Sequence, residues 1–126
     1  MHAKLLVAGK WTVSVLEEGS RCRAEEFLAK IDRRAQNRFG ALFDRTAAEG
    51  PIRNDTQFKY IKEHDLWEFK AQQYRILAFK LDEEQHIILT SGFKEEKKKI
   101  PRPELDRAKR MRAEYLESLE APDAKG

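Results

Sequence analysis

Residues Leu66–Pro101 read LWEFKAQQYRILAFKLDEEQHIILTSGFKEEKKKIP, and this stretch decides the fold. Three apolar segments, LWEFK, YRILAFKL and HIILTSGF, are separated by the short polar segments AQQ and DEEQ. Apolar runs bounded by polar turns predict β-strands, and strands joined by such short turns pair antiparallel. The stretch therefore predicts a three-stranded meander over residues 66–93, which leads directly into the basic segment KEEKKKIPR.

A further strand is predicted upstream of the meander, at Trp11–Leu16. Its β-branched residues Val13 and Val15 alternate with polar ones, as in a strand that has one buried face. Residues 1–9 show no pattern of their own, and we expect them to be loose.

A helical region is predicted between this strand and the meander. Ser20 is the expected N-cap, apolar residues then recur at helical spacing, and Gly50-Pro51 is a strong stop signal. A break at Arg33-Arg34 or at Gly40 would give two antiparallel helices. One long bent helix is the alternative.

The chain is expected to close with another helix. Residues 52–65 are a mixed, mainly polar connection anchored by Phe58, Tyr60 and Ile61. After Pro103, Glu104 opens the last helix, because a proline is well tolerated at a helix start. Its apolar stripe consists of Leu105, Ala108, Met111, Tyr115 and Leu119, and residues 120–126 are expected to be a loose tail.

The predicted fold class is α+β, with elements in the order β-α-α-β-β-β-α. Three consecutive strands with short turns form a small antiparallel sheet, and the helical pair must cover one of its faces. The other face is expected to be partly open to solvent or to a partner. With 126 residues, the chain is expected to form a single domain with one core.

The charge of the chain is unevenly distributed. The net charge is only +3, but nine basic and four acidic residues lie between Lys94 and Arg112. Such a basic stripe is typical of nucleic-acid contact, although a solvated helix face looks similar. The 37% of charged residues accompany enough aromatic residues to make a disordered chain improbable.

Cys22 is the only cysteine, which excludes an intramolecular disulfide and favours a reducing compartment. No apolar run approaches the roughly 20 residues that a membrane-spanning helix needs. None of His2, His64 and His86 has metal-ligand spacing to another histidine or to the cysteine. We therefore expect a cytoplasmic protein without a metal or cofactor.

The strings LWEFK, YRILAFKL, IILTSGFK and IPRPELDRAKRMRAEY, in this order, resemble the RelE/HigB toxin superfamily, in particular its phage-derived toxin-like branch. The resemblance covers roughly residues 11–118. It implies the toxin of a type II toxin–antitoxin system, an endoribonuclease that cuts messenger RNA on the ribosome without a metal. It also implies a cognate antitoxin with a helix-turn-helix domain as partner, and a homodimer is a further option.

By position, the resemblance implies that Lys70 and Arg75 stabilise the phosphate and the transition state, because cations must offset charge that develops on phosphorus. Glu68 shares the parity of Lys70 along the strand and is a candidate general base, with an ion pair as the alternative. For Lys70 and Arg75, the alternative is that they are ordinary surface charges. Lys94 completes the catalytic candidates. The RNA-binding candidates are Tyr74, Lys97, Lys98, Lys99 and Arg102.

The chain departs from the superfamily pattern at three positions. Ser91 stands where many relatives have a histidine, and Glu95 and Glu96 stand where they have lysines. A serine cannot shuttle protons near neutral pH as a histidine does. These departures leave open a decayed homologue that only binds RNA or an antitoxin. A ParE-like toxin, which has the same fold and inhibits gyrase without cutting RNA, is the other alternative.

Overall fold

The computed structural model describes residues 1–120, which form six strands and three helices. The strands are β1 (His2–Ala8), β2 (Thr12–Glu17), β3 (Phe58–Ile61), β4 (Leu66–Ala71), β5 (Tyr74–Leu81) and β6 (His86–Lys94). The helices are α1 (Arg23–Lys30), α2 (Arg33–Glu49) and α3 (Arg102–Glu120). The predicted α+β class and the predicted order of elements are confirmed, while β1 and β3 enlarge the sheet beyond the prediction.

All six strands belong to one sheet with the order β1-β2-β6-β5-β4-β3. The strands β3 to β6 form an antiparallel meander, and β1 pairs antiparallel with β2. Among these described pairs, only β2 and β6 are parallel. A parallel pair needs a long connection, and here the chain from α1 to β5 provides it. Each hairpin turn of the meander contains one non-glycine residue with positive φ: Asp65, Gln72 or Gln85.

The expectation that residues 1–9 are loose is wrong, because β1 pairs with β2 from His2 opposite Glu17 to Ala8 opposite Thr12. β1 is an edge strand, and most of its side chains are exposed, including Leu5. An edge strand that contributes little to the core has no strong hydrophobic alternation, and its order comes from the backbone of its neighbour. The tail expected at 120–126 falls mainly on residues outside the described range, and Glu120 is the last residue of α3.

The connection between α2 and the meander contains an unpredicted strand. β3 has only four residues, and it pairs with β4 along its whole length. Phe58, which the sequence marked as an anchor, stacks on Trp67 with ring centroids 4.6 Å apart and lies 4.4 Å from the ring of Phe69. Cross-strand aromatic pairs of this kind stabilise a sheet edge that is too short to be recognised from its alternation.

The helical region consists of two helices, as the favoured alternative predicted. The predicted N-cap Ser20 is wrong, because α1 starts after Cys22, whose side chain makes no capping hydrogen bond. The break lies at Ile31-Asp32, where the Asp32 carboxylate accepts a hydrogen bond of 2.8 Å from the Ala35 amide and caps α2. α2 ends at Glu49 and is followed by Gly50, whose φ of 96° is in the region that favours glycine.

The helices enclose the sheet from both sides and create two cores. α1 and α2 pack on one face, where Phe39, Phe43 and Phe69 belong to the larger cluster. α3 packs on the other face, where Met111 and Tyr115 contact the cluster that contains Phe79. The second face was expected to be partly open, and the last helix folds back over part of it. Leu119, the last residue of the predicted stripe, is exposed.

No helix within residues 1–120 combines the length and the apolar character that crossing a membrane requires.

Candidate active site

A cleft of about 720 Å³ opens beside the N-terminal end of α3, on the face of the sheet that this helix partly covers. It is bounded by β3, β4 and β5 and by the segment between β6 and α3. We call it the Glu68 cleft. Five of the nine candidate catalytic and RNA-binding residues line it: Glu68, Lys70, Arg75, Lys98 and Lys99.

Strand pairing brings the polar residues of this cleft together. Lys70 in β4 lies directly opposite Arg75 in β5, and Glu68 lies opposite Lys59 in the neighbouring strand β3. Because side chains alternate between the faces of a strand, Glu68 and Lys70 point to the same face. The hairpin between β4 and β5 thus places a carboxylate, an ammonium and a guanidinium at one end of the sheet.

Arg75 is held firmly by four neighbours. Its Nη1 donates to the carbonyl oxygens of Gln72 and Tyr74 at 2.9 and 2.8 Å, and its Nη2 donates to Glu95 Oε1 at 2.7 Å. Its Nε lies 3.8 Å from Glu68 Oε2 and is buried without a hydrogen-bond partner within residues 1–120. With only 9% of its surface exposed, Arg75 bridges two carboxylates instead of projecting into solvent.

Glu68 is a buried carboxyl group whose acidity is perturbed. Only 6% of the residue is exposed, and no hydrogen bond to its carboxylate is found in the described part of the chain. Burial raises the pKa of Glu68, while Lys70 and Arg75 oppose this by favouring the charged form. A carboxylate that is poorly solvated and more basic than usual is suited to accept a proton.

Lysines surround the entrance of the cleft. Lys59, Lys98 and Lys99 are exposed, whereas Lys70 is half-buried next to the carboxylates. Lysine side chains of this kind attract phosphate as flexible point charges, and their attraction is screened by salt. The cleft therefore combines a buried acidic group with a cationic rim.

The histidines occupy different parts of the molecule. His64, in the turn between β3 and β4, lines the Glu68 cleft, and its Nδ1 is buried without a hydrogen-bond partner among residues 1–120. His86 lies at the opposite end of the sheet, where Nε2 is 2.7 Å from Ser14 Oγ and burial lowers its pKa. His2 belongs to the edge strand β1.

Several candidate residues lie outside the Glu68 cleft. Tyr74 packs edge-on against Phe27 of α1 with ring centroids 6.0 Å apart, and so points toward the opposite face of the sheet. Arg102 is 80% exposed and pairs with Asp106 at 3.1 Å. Lys94 and Lys97 are exposed but do not line the cleft.

The three residues that depart from the superfamily pattern lie in different environments. Glu95 lines the cleft through its ion pair with Arg75, and Glu96 is exposed. Ser91 is buried, and its Oγ has no partner within the described residues. Ser91 instead borders a smaller cavity of about 270 Å³ between α1 and α3.

Sequence reasoning did not place Lys59, Tyr60 and His64 in one site, and it favoured a surface or packing role for His64 over a catalytic one. All three belong to β3 or its turn, which was predicted to be a connection. The alternation of Phe58, Lys59 and Tyr60 was the available signal, but four residues are too few to establish a strand by period alone.

Within residues 1–120, no group of three or more histidine, cysteine, aspartate or glutamate side chains is arranged to hold a metal ion. Cys22 is buried, and this burial raises the pKa of its thiol.

Comparison with known families gives one match. The family model described as "Phage derived protein Gp49-like (DUF891)" matches residues 26–113. The matched region extends from α1 into α3 and includes all the strands that form the Glu68 cleft. No curated protein matches the chain. The match agrees with the phage-derived branch that the sequence resembles and is consistent with a toxin. Since it covers well over half of the chain, this protein belongs to the Gp49-like family of phage-derived proteins.

Proposed function

We propose that this protein is the toxin of a type II toxin–antitoxin system, and that it acts as an endoribonuclease on messenger RNA in the ribosome. The phage-derived family and the resemblance to RelE/HigB toxins support the toxin assignment. The observation that carries the enzymatic part is the buried Glu68 carboxylate, with its raised pKa, beside Lys70 and inside a lysine-rimmed cleft.

The proposed reaction uses the 2′-hydroxyl of the RNA as nucleophile. Glu68 accepts the 2′ proton while the 2′ oxygen attacks the adjacent phosphorus, and the bond from phosphorus to the 5′ oxygen breaks in line. The products are a 2′,3′-cyclic phosphate and a free 5′-hydroxyl. His64 or Lys70, which both line the cleft, returns a proton to the 5′ oxygen. The reaction draws on no metal.

Lys70 and the exposed lysines stabilise the negative charge that develops on the phosphate oxygens. Such preorganised cations act where charge increases in the transition state. Arg75 has a different role in this proposal, because its Nη1 and Nη2 already bind two carbonyls and Glu95. It is a positioning residue that holds the end of β5 and limits the displacement of the Glu68 carboxylate.

A protein of this family that binds RNA or an antitoxin without cleavage is the second candidate. The ion pair of 2.7 Å between Arg75 and Glu95 favours it, because a phosphate that approaches this guanidinium must compete with the carboxylate.

The experiment is induced expression in bacteria, followed by mapping of RNA 5′ ends. We expect growth arrest and new 5′ ends within translated messages, and both effects should be lost in a Lys70→Ala, Arg75→Ala double variant. Lys109→Gln, an exposed lysine of α3 outside the cleft, is the matched control and should arrest growth like the wild type. Intact messages in arrested cells would refute the nuclease and favour the non-cleaving candidate.

The antitoxin and the cytoplasmic location belong to the same proposal. We expect a small helix-turn-helix protein, encoded next to this chain, to restore growth and to copurify with it. Growth arrest that the neighbouring product leaves unchanged would contradict this part.

A further inference from the structure

A second cleft, of about 550 Å³, lies on the other face of the sheet. It is formed by the turn between β1 and β2, the segment after α2, and the ends of β3, β4 and β5. Trp11, Tyr60 and Trp67 line it together with Lys10, Arg53 and Lys80. We call it the aromatic cleft. The chain has two tryptophans, and both are in this cleft.

The aromatic rings form a continuous platform. The Tyr60 and Trp67 ring centroids are 4.8 Å apart, and Phe58 stacks on Trp67 from beneath. Lys80 Nζ lies 4.5 Å from the Trp67 ring centroid and 5.8 Å from that of Trp11, so its charge is shared between the two indoles. Tyr60 is 41% exposed, which is unusual for an aromatic residue within a sheet.

The charge around this platform favours an anionic ligand. Lys10 and Arg53 are exposed, and neither forms an ion pair within residues 1–120. Of the two acidic residues in the lining, Glu49 pairs with Arg45 at 3.6 Å and Asp55 forms no ion pair within residues 1–120. The third lining cation, Lys80, pairs with Asp82 at 3.3 Å, so the two free cations face one free carboxylate. An exposed tyrosine ring at the edge of an aromatic cluster, next to free cations, is a combination that binds single-stranded nucleic acid, because bases stack on such a ring and phosphates approach the cations.

Tyr60 connects the two clefts. It lines both the aromatic cleft and the Glu68 cleft, which open on opposite faces of the sheet. This is possible because β3 is the outermost strand of the sheet and has only four residues, or roughly 13 Å of backbone. A flexible strand of RNA that leaves the Glu68 cleft over this short edge would reach the aromatic rings directly.

We propose that the aromatic cleft is a binding site for unstacked bases of single-stranded RNA, on the part of the substrate strand that passes over β3. This inference rests on the proposed function for the identity of the RNA as a substrate. The binding chemistry itself depends only on the residues of the aromatic cleft.

The test uses tryptophan fluorescence of the full chain. The probe is an eight-nucleotide oligouridylate with 2′-O-methyl groups, which has no 2′ proton to lose and is therefore not cleaved. We expect saturable quenching, because both tryptophans report on this cleft. Tyr60→Leu keeps an apolar side chain but removes the stacking surface, and should weaken binding at least about fivefold.

Arg53→Gln separates the aromatic cleft from the Glu68 cleft, because Arg53 lines only the former. We expect weaker binding and a salt dependence (the slope of log K against log salt) that is smaller by about 0.7, the value for one lost phosphate contact on a single strand. Lys109→Gln removes the same charge elsewhere and should leave affinity and salt dependence unchanged.

Three results would overturn the proposal. The first is the absence of quenching, and the second is quenching that Tyr60→Leu and Arg53→Gln both leave unchanged. The third is quenching by an antitoxin peptide but not by the oligonucleotide, a result that would assign the cleft to a protein. Because the probe is not cleaved, binding is measured separately from cleavage. Quenching together with intact translated messages in cells that express the protein refutes the nuclease while supporting the aromatic cleft. Cleavage of translated messages without quenching of the tryptophan fluorescence supports the nuclease and refutes the aromatic cleft.

Discussion

Replacing Glu68 by glutamine tests both the chemistry and the energetics of the cleft. The side chain keeps its size but loses the charge that burial disfavours. Glutamine resembles the protonated form of Glu68, which the folded protein prefers more than the unfolded chain does. We therefore expect Glu68→Gln to stabilise the fold at pH 7 and, at the same time, to slow RNA cleavage.

The change in the free energy of unfolding follows from the direction in which the pKa of Glu68 is shifted. Because the folded-state pKa of Glu68 is raised, the folded protein holds more protons than the unfolded chain between the ordinary value and the raised value. Wild-type stability therefore falls as pH rises through this range and remains lower above it. Each tenfold difference in proton affinity between the folded and unfolded states corresponds to about 1.4 kcal/mol, and the direction of the shift means that the variant gains stability.

The activity change has a separate origin. Loss of a general base typically slows a proton-transfer step about 100- to 10,000-fold. In the wild type, cleavage should increase with pH as Glu68 loses its proton, and the residual activity of the variant should lack this rise.

The assay compares urea unfolding at pH 7 and at pH 4.5, together with cleavage of a translated message at several pH values. The advantage of the variant should be larger at pH 7, because at pH 4.5 much of the wild-type Glu68 is already protonated. Glu63→Gln is the matched control. This exposed glutamate lines the same cleft, and its loss should change neither the free energy of unfolding nor the rate of RNA cleavage.

Two results would refute this reasoning. If Glu68→Gln lowers stability at pH 7, the dominant role of Glu68 is its ion pair with Arg75 at 3.8 Å. If the variant cleaves RNA at the wild-type rate, Glu68 is not the base.

Three other substitutions test the packing around the sheet by thermal and urea unfolding. Gly92→Ala should cost about 1–3 kcal/mol, because a β-carbon there would overlap the Phe27 ring, and an unchanged melting temperature would contradict this close approach. Asp32→Ala should cost about 1 kcal/mol through the lost cap of α2, while Asp32→Asn should retain most of it; equal losses in both would argue against capping. Met111→Ala should cost about 2–5 kcal/mol, since Met111 is fully buried between α3 and the sheet, and a loss below 1 kcal/mol would mean that α3 contributes little to the second core.

The sequence by itself determined the meander and the helices. Tight polar turns, alternation in the strands and helical spacing are local signals, and they are strong over β4 to β6 and over α3. The same alternation was enough to place Glu68 and Lys70 on one face, because a strand admits only two directions for its side chains.

Only the tertiary structure decided the strands at the edges. β1 and β3 are held by the backbone of a neighbour, and their side chains contribute few core residues, so the local pattern is too weak or too short to establish them. Without β3, neither the contribution of Lys59 and His64 to the Glu68 cleft nor the link through Tyr60 could be predicted.

The tertiary structure also decided the electrostatic state of the site. The sequence presented Arg75 as a cation available to phosphate, but the end of β6 brings Glu95 within 2.7 Å and the neighbouring carbonyls fix the rest of the guanidinium. The sequence likewise left Glu68 as either a base or an ion-pair partner. Its burial, which results from long-range packing, raises its pKa and distinguishes it from an ordinary surface glutamate.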